Sequence, residues 1–143
     1  MQRGWRVRGT SRSSAGVEAI EAAGLEGALA DPGRPGTILD LVGDVAAVIW
    51  LLGSAAGEPE QIAAIHGPRL ERLLERLVDT PVRGFVYEAA GSVQPDRLRT
   101  GRETVERAAR TWRIPVAMLE RERGSAGWAV YAAGTLGGLL GPG

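Results

Sequence analysis

The sequence predicts an α/β fold in which helices cover both faces of a mainly parallel sheet. Three observations predict it. Short apolar runs alternate with longer amphipathic stretches along the chain. One run, residues 45–52 (VAAVIWLL), is apolar throughout, the pattern of a strand buried on both faces. The stretches between runs open on capping residues and close on glycines. With 143 residues there is room for one domain, and no repeat or linker divides it.

The elements follow in order. Residues 5–10 read as the first strand. Ser13 or Ser14 caps a helix that runs to Ala23 and stops at Gly24. Residues 25–30 form the next strand and 37–42 a short helix ahead of Gly43, before the apolar run at 45–52. Glu58, Pro59 and Glu60 suit a first helical turn, where acids meet the positive end of the dipole. Ile62, Ile65, Leu70, Leu73, Leu74 and Leu77 then make a helical stripe, which Gly67-Pro68 interrupts with a kink or restart. Residues 83–88 and 115–120 are the last two strands. Thr100 and Glu103 have capping-box spacing, and Glu103–Arg107 and Glu106–Arg110 are i,i+4 pairs on the same helix. The Gly/Ala-rich tail, 125–143, carries a weak helix around 128–140.

Composition removes several chemistries. The 17 basic residues are all arginine and balance 17 acids. A nucleic-acid partner is therefore not expected, since such proteins usually carry a basic excess. Without cysteine these residues form no disulfide, thiolate metal site or thiol nucleophile. A single histidine, His66, rules out a His-rich metal site. Without lysine there is no Schiff base and no P-loop lysine. No apolar run approaches the ~20 residues of a membrane span, and no signal peptide opens the chain. The expected compartment is the cytoplasm, with no membrane partner.

The opening Gly4-Trp5-Arg6-Val7-Arg8-Gly9-Thr10-Ser11-Arg12 resembles the second strand of the extended and atypical short-chain dehydrogenase/reductase family, the NAD-dependent epimerases and NADP-dependent reductases. Asp31-Pro32 resembles that family's adenine-side acidic position. Residues 45–54 (VAAVIWLLGS) resemble its fourth strand, and 82–91 (VRGFVYEAAG) its fifth. The likeness covers most of residues 4–120. It implies a Rossmann-like, three-layer, NAD(P)-binding fold. Residues 1–143 would then be a single partial domain whose first strand and Gly-rich loop are missing, with residues 1–4 as the end of the first helix.

The departures bear on chemistry. The family's Tyr-x-x-x-Lys pair is not here: four residues after Tyr87 and Tyr131 stand Gly91 and Thr135. Its Ser-Ser after the fifth strand is Ala89-Ala90. The usual proton donor and its lysine are thus gone, and whether the chain is an enzyme stays open. The missing strand would lie between the first and third strands of this chain. Three arrangements would relieve their open edges: direct closure of one on the other, a strand from another chain, or a mis-started fragment. The fragment is favoured.

For cofactor binding the resemblance points to Thr10, Ser11, Arg12, Asp31, Leu52, Gly53, Ser54, Ala89 and Ala90. A guanidinium fork at Arg12 suits the 2′-phosphate of NADP, so NADP is expected over NAD. Asp31 either accepts from adenine or caps its own turn, and the turn is the commoner use. The small residues at 53–54 and 89–92 either make room for a cofactor or simply turn the chain. His66 reads as an exposed or half-buried helical residue. Tyr87 and Glu88 alternate onto opposite strand faces, which disfavours a joint acid/base pair. Arg97, Arg99 and Arg102 read as the solvated start of a helix. The expected function is a catalytically degenerate or truncated NAD(P)-binding protein. The alternatives are an active NADP-dependent oxidoreductase with an upstream start and a structural module without cofactor. Substrate and oligomeric state, a homo-oligomer included, stay open.

Overall fold

The computed structural model describes residues 5–141, so the reading of residues 1–4 as a helix end lies outside the described residues. The order is β1 (Arg8–Ser11), α1 (Ser14–Ala22), β2 (Glu26–Leu29), α2 (Pro35–Leu39), β3 (Val48–Trp50), α3 (Pro59–Ile65), α4 (Pro68–Leu77), β4 (Phe85–Glu88), α5 (Pro95–Trp112), β5 (Val116–Leu119) and α6 (Trp128–Leu140). All strand pairs are parallel. They form two sheets, β1-β2 and β3-β4-β5. No ladder joins β1 to β3, so direct closure is not the arrangement adopted.

The hydrophobic core is built on the larger sheet. Leu70, Leu73, Leu74 and Leu77 of α4 are at most 1% exposed. They share a cluster with Trp50, Phe85 and Tyr87 of the larger sheet, Val105 of α5 and Ala30 after β2. Full burial of each leucine is worth roughly 1.5–3 kcal/mol. The indole of Trp50 donates to the Ile65 carbonyl at 3.2 Å, which seats α3 on β3. At the amino ends of the strands, Arg8 binds Glu26 of β2, the Leu41 carbonyl and Asp44, joining the small sheet to the segment that enters β3.

Ser13 is the cap of α1, accepting from the Gly16 amide at 3.1 Å, and Gly24 leaves at φ +87°. The restart at Gly67-Pro68 separates α3 from α4. Other expectations fail for physical reasons. The apolar run 45–52 gives only three strand residues, and Ile49 is 42% exposed, so one face of β3 is open there. Pro95 and Asp96 supply the first turn of α5, which leaves Thr100 inside the helix bonded to the Asp96 carbonyl. Arg107 reaches across to Glu71 of α4 at 2.8 Å rather than pairing with Glu103.

Candidate functional site

The carboxyl ends of β1, β2 and β3 open on one cavity of about 470 Å3. At the end of β1, Ser11 Oγ accepts from the Ser13 amide at 3.3 Å, and Arg12 stands between them, exposed. The Arg12 side chain makes no hydrogen bond or ion pair among the described residues. After β2, Asp31 Oδ1 accepts from the Gly33 amide at 2.8 Å, and its own amide donates to Thr37 Oγ1 at 2.8 Å. Asp31 is therefore the turn residue that its Pro-Gly context favours, and it still lines the cavity with Pro32 and Gly33. Leu52 and Ala55 close the wall beyond β3. Glu60, Gln61, Ile62 and Ile65 of α3 form another side, and Arg69 of α4 completes it.

A buried polar chain lies beneath that wall. His66 is 0% exposed, unlike the exposed or half-buried residue expected, because the break between α3 and α4 turns it inward. Its Nε2 is 2.9 Å from the Leu52 carbonyl and its Nδ1 is 2.6 Å from the Tyr87 hydroxyl. A carbonyl only accepts, so Nε2 carries the proton and the Tyr87 O–H donates to Nδ1. Burial pushes the His66 pKa below its ordinary value, which the Leu52 carbonyl partly offsets. Burial pushes Tyr87 well above the usual phenol range, with smaller opposed effects of Arg102 and Glu88. Both groups are neutral near pH 7, and they fix the Leu52 carbonyl at the cavity edge. Gly101 of α5 is required here: a Cβ would fall 1.9 Å from the Tyr87 hydroxyl.

Glu88 faces away from Tyr87, as strand alternation requires. It is 1% exposed and accepts from the Gly53 amide at 2.8 Å and from Arg123 Nε at 2.9 Å. The loops after β3 and β4 are knitted together. Gly53 O accepts from the Val93 amide at 2.9 Å, and Ser54 Oγ from the Ser92 amide at 3.1 Å. A Cβ on Gly53 would sit 1.9 Å from the Ala90 carbonyl oxygen. Here the small residues serve close backbone approach. Ala89 lines a second cavity, of about 390 Å3, with Ser92, Arg99 and Arg102. Both of those arginines are already ion-paired, to Asp96 and Glu120.

Of the residues singled out in the sequence, the main cavity thus gathers Arg12, Asp31 and Leu52. Thr10 and Ser11 end β1, and Gly53, Ser54 and Ala90 shape the β3–β4 loops without lining either cavity. Sequence reasoning missed Arg69, Glu60 and Gln61. No group of three or more potential metal ligands exists among the described residues. No helix there is long and apolar enough to cross a membrane.

No protein-family profile and no curated protein matches the chain. Solved structures do. Triphenylmethane reductase of Citrobacter sp., complexed with NADP(H), superposes with a TM-score of 0.58 at 18% identity, over 80% of this chain and 39% of the neighbour. A second structure of that enzyme gives 0.58 at 19% identity. UDP-glucuronic acid 4-epimerase of Bacillus cereus, in complex with NAD, gives 0.57 at 12% identity, over 82% of this chain and 48% of the neighbour. The chain has the Rossmann-like α/β fold. It spans less than half the length of these neighbours.

Proposed function

We propose that this chain binds a nicotinamide dinucleotide, NADP in preference to NAD, with the adenosine half in the cavity at the ends of β1, β2 and β3. The observation that carries the reading is the meeting of Arg12, Asp31 and Leu52 in one cavity, with the Arg12 guanidinium unengaged. Ligands of open α/β sheets lie outside strand carboxyl ends, and an arginine after the first of these strands suits a 2′-phosphate. The complexes of the structural neighbours, one with NADP(H) and one with NAD, support a dinucleotide as the class. In this role Arg12 holds phosphate, Leu52 and Ile62 pack the apolar face of adenine, and the turn at Asp31 keeps the rim in place.

The reading is of a binding protein rather than a Tyr–Lys reductase. Tyr87, which follows the family's fifth-strand pattern, is buried against His66 with its proton already donated. Calorimetric titration with NADP+ and NAD+ tests the proposal. NADP+ should bind more tightly, and Arg12→Ala should weaken NADP+ about tenfold, the low end for an exposed charge-assisted contact, while leaving NAD+ nearly unchanged. Equal weakening toward both, or a native preference for NAD+, would refute the role of Arg12.

A further inference from the structure

We infer that Arg69 is the second arm of an anion clamp with Arg12, and that the clamp takes a phosphate monoester, the 2′-phosphate of an adenosine 2′,5′-bisphosphate unit. This rests on the dinucleotide reading and extends it to a residue from a different part of the chain. Arg69 is placed by its neighbours. Pro68 begins α4, and Leu70, 0% exposed, fixes which side of the helix meets the core. Arg69 is left outside, on the cavity that Arg12 borders from the other sheet.

Three features mark it. Like Arg12, it has no hydrogen-bond or ion-pair partner among the described residues; surface arginines such as Arg72 and Arg97 share that trait, but the arginines that line the main cavity are Arg12 and Arg69. It also stands in the first turn of a helix, where the dipole disfavours a cation and favours an anion. The acid that could offset it, Glu71 in the same turn, is held by Arg107 at 2.8 Å. A phosphate bridging Arg12 and Arg69 relieves both cations, and two guanidinium forks suit its oxygens better than one. Of the cavity's carboxylates, Asp31 is bonded to its own turn and Glu60 belongs to α3.

Titration of the full chain with 2′,5′-ADP and with 5′-AMP isolates the 2′-phosphate. Arg69→Ala should weaken 2′,5′-ADP about tenfold and change 5′-AMP less than about twofold. Arg69→Lys, which keeps the charge but not the fork, should fall between. Arg69→Ala that leaves 2′,5′-ADP unchanged, or weakens both nucleotides alike, overturns the clamp while the dinucleotide reading survives. An unsubstituted chain that binds neither nucleotide overturns the dinucleotide reading and the clamp with it. Inorganic phosphate displacing 2′,5′-ADP at equal concentration would show that the arginines hold a free anion, and overturn the nucleotide assignment.

Discussion

The two sheets are built to different standards. In the β3-β4-β5 sheet every residue of β4 is buried, and α4 and α5 add four leucines, Val105 and Ala108 to the same core. From Arg8 to Leu29, across β1, α1 and β2, no residue is fully buried. The reason is in the side chains. β1 is Arg-Gly-Thr-Ser and β2 is Glu-Gly-Ala-Leu, so the strands have little apolar area to remove from water. Gly9 and Gly27 let α1 sit close: a Cβ on either would come within 3.0 Å of Ile20 or Val17. The larger sheet is held by hydrophobic burial. The smaller is held by close approach, its ladder and Arg8. Arg12 and Asp31 sit on the lightly held half, and Leu52, Ile62 and Arg69 on the heavily held one, so a ligand in the cavity touches both.

The largest expected effect tests this contrast directly. Leu74→Ala should cost about 2–5 kcal/mol, the range for emptying a closed core site. Ile20→Ala on α1 should cost at most about 1–2 kcal/mol, because that side chain is only partly buried. Denaturant melts of both variants measure the difference, and equal losses would remove the distinction.

A second prediction locates a polar weakness inside the strong half. Tyr87→Phe removes the donor to His66 Nδ1 and leaves a buried acceptor unpaired, at a cost of about 1–3 kcal/mol. The same pair sets a pH dependence. Burial lowers the folded-state pKa of His66 below its ordinary 6.5, so the unfolded chain binds the proton first as pH falls. The stabilisation from neutral His66 is complete above about pH 6.5 and is lost progressively below it. Melts between pH 7.5 and 5, roughly the window around an unperturbed histidine, should show falling stability, and His66→Gln should reduce that slope. A His66→Gln variant with an unchanged slope would mean that other groups carry it.

The contrast also explains what could be read from the sequence. The alternation of strands and helices and the parallel pairing of the strands followed from the order of runs, because hydrophobic pattern and crossover rules act locally. Arg12, Asp31 and Leu52 were legible because they follow strand ends directly. Arg69 was not: on a helix it looks like any solvated arginine, and only the packing of α3, α4 and the small sheet brings it to the cavity. His66 was misread because its burial depends on Leu52 and Tyr87, 14 and 21 residues away. The apolar run at 45–52 overstated β3 because burial on both faces needs a covering layer, and the Ile49 face has none there.

The smallest expected effect decides whether the halves open separately. The Glu26 and Ala30 amides donate to Val7 and Ser11 across the small sheet; the Phe85 and Ala89 amides donate to Pro115 and Leu119 across the large one. Glu26 is exposed and only Ala30, at the end of the ladder, reaches the core, so the first pair should exchange hydrogen through a local opening, and the second only through unfolding of the core. A ligand that touches both halves binds only when they are together. At ten times its Kd, NADP+ should therefore slow exchange at Glu26 and Ala30 by roughly 1.4 kcal/mol in opening free energy. Leu74→Ala should accelerate the Phe85 and Ala89 amides without moving the Glu26 and Ala30 pair, because a local opening does not pass through the core. If all four amides exchange at one rate and respond together to Leu74→Ala, the small sheet belongs to the same cooperative unit. Its lack of buried side chains would then be compensated by the Arg8 contacts at the amino ends of the strands, and Arg8→Ala should be the variant that separates the two pairs.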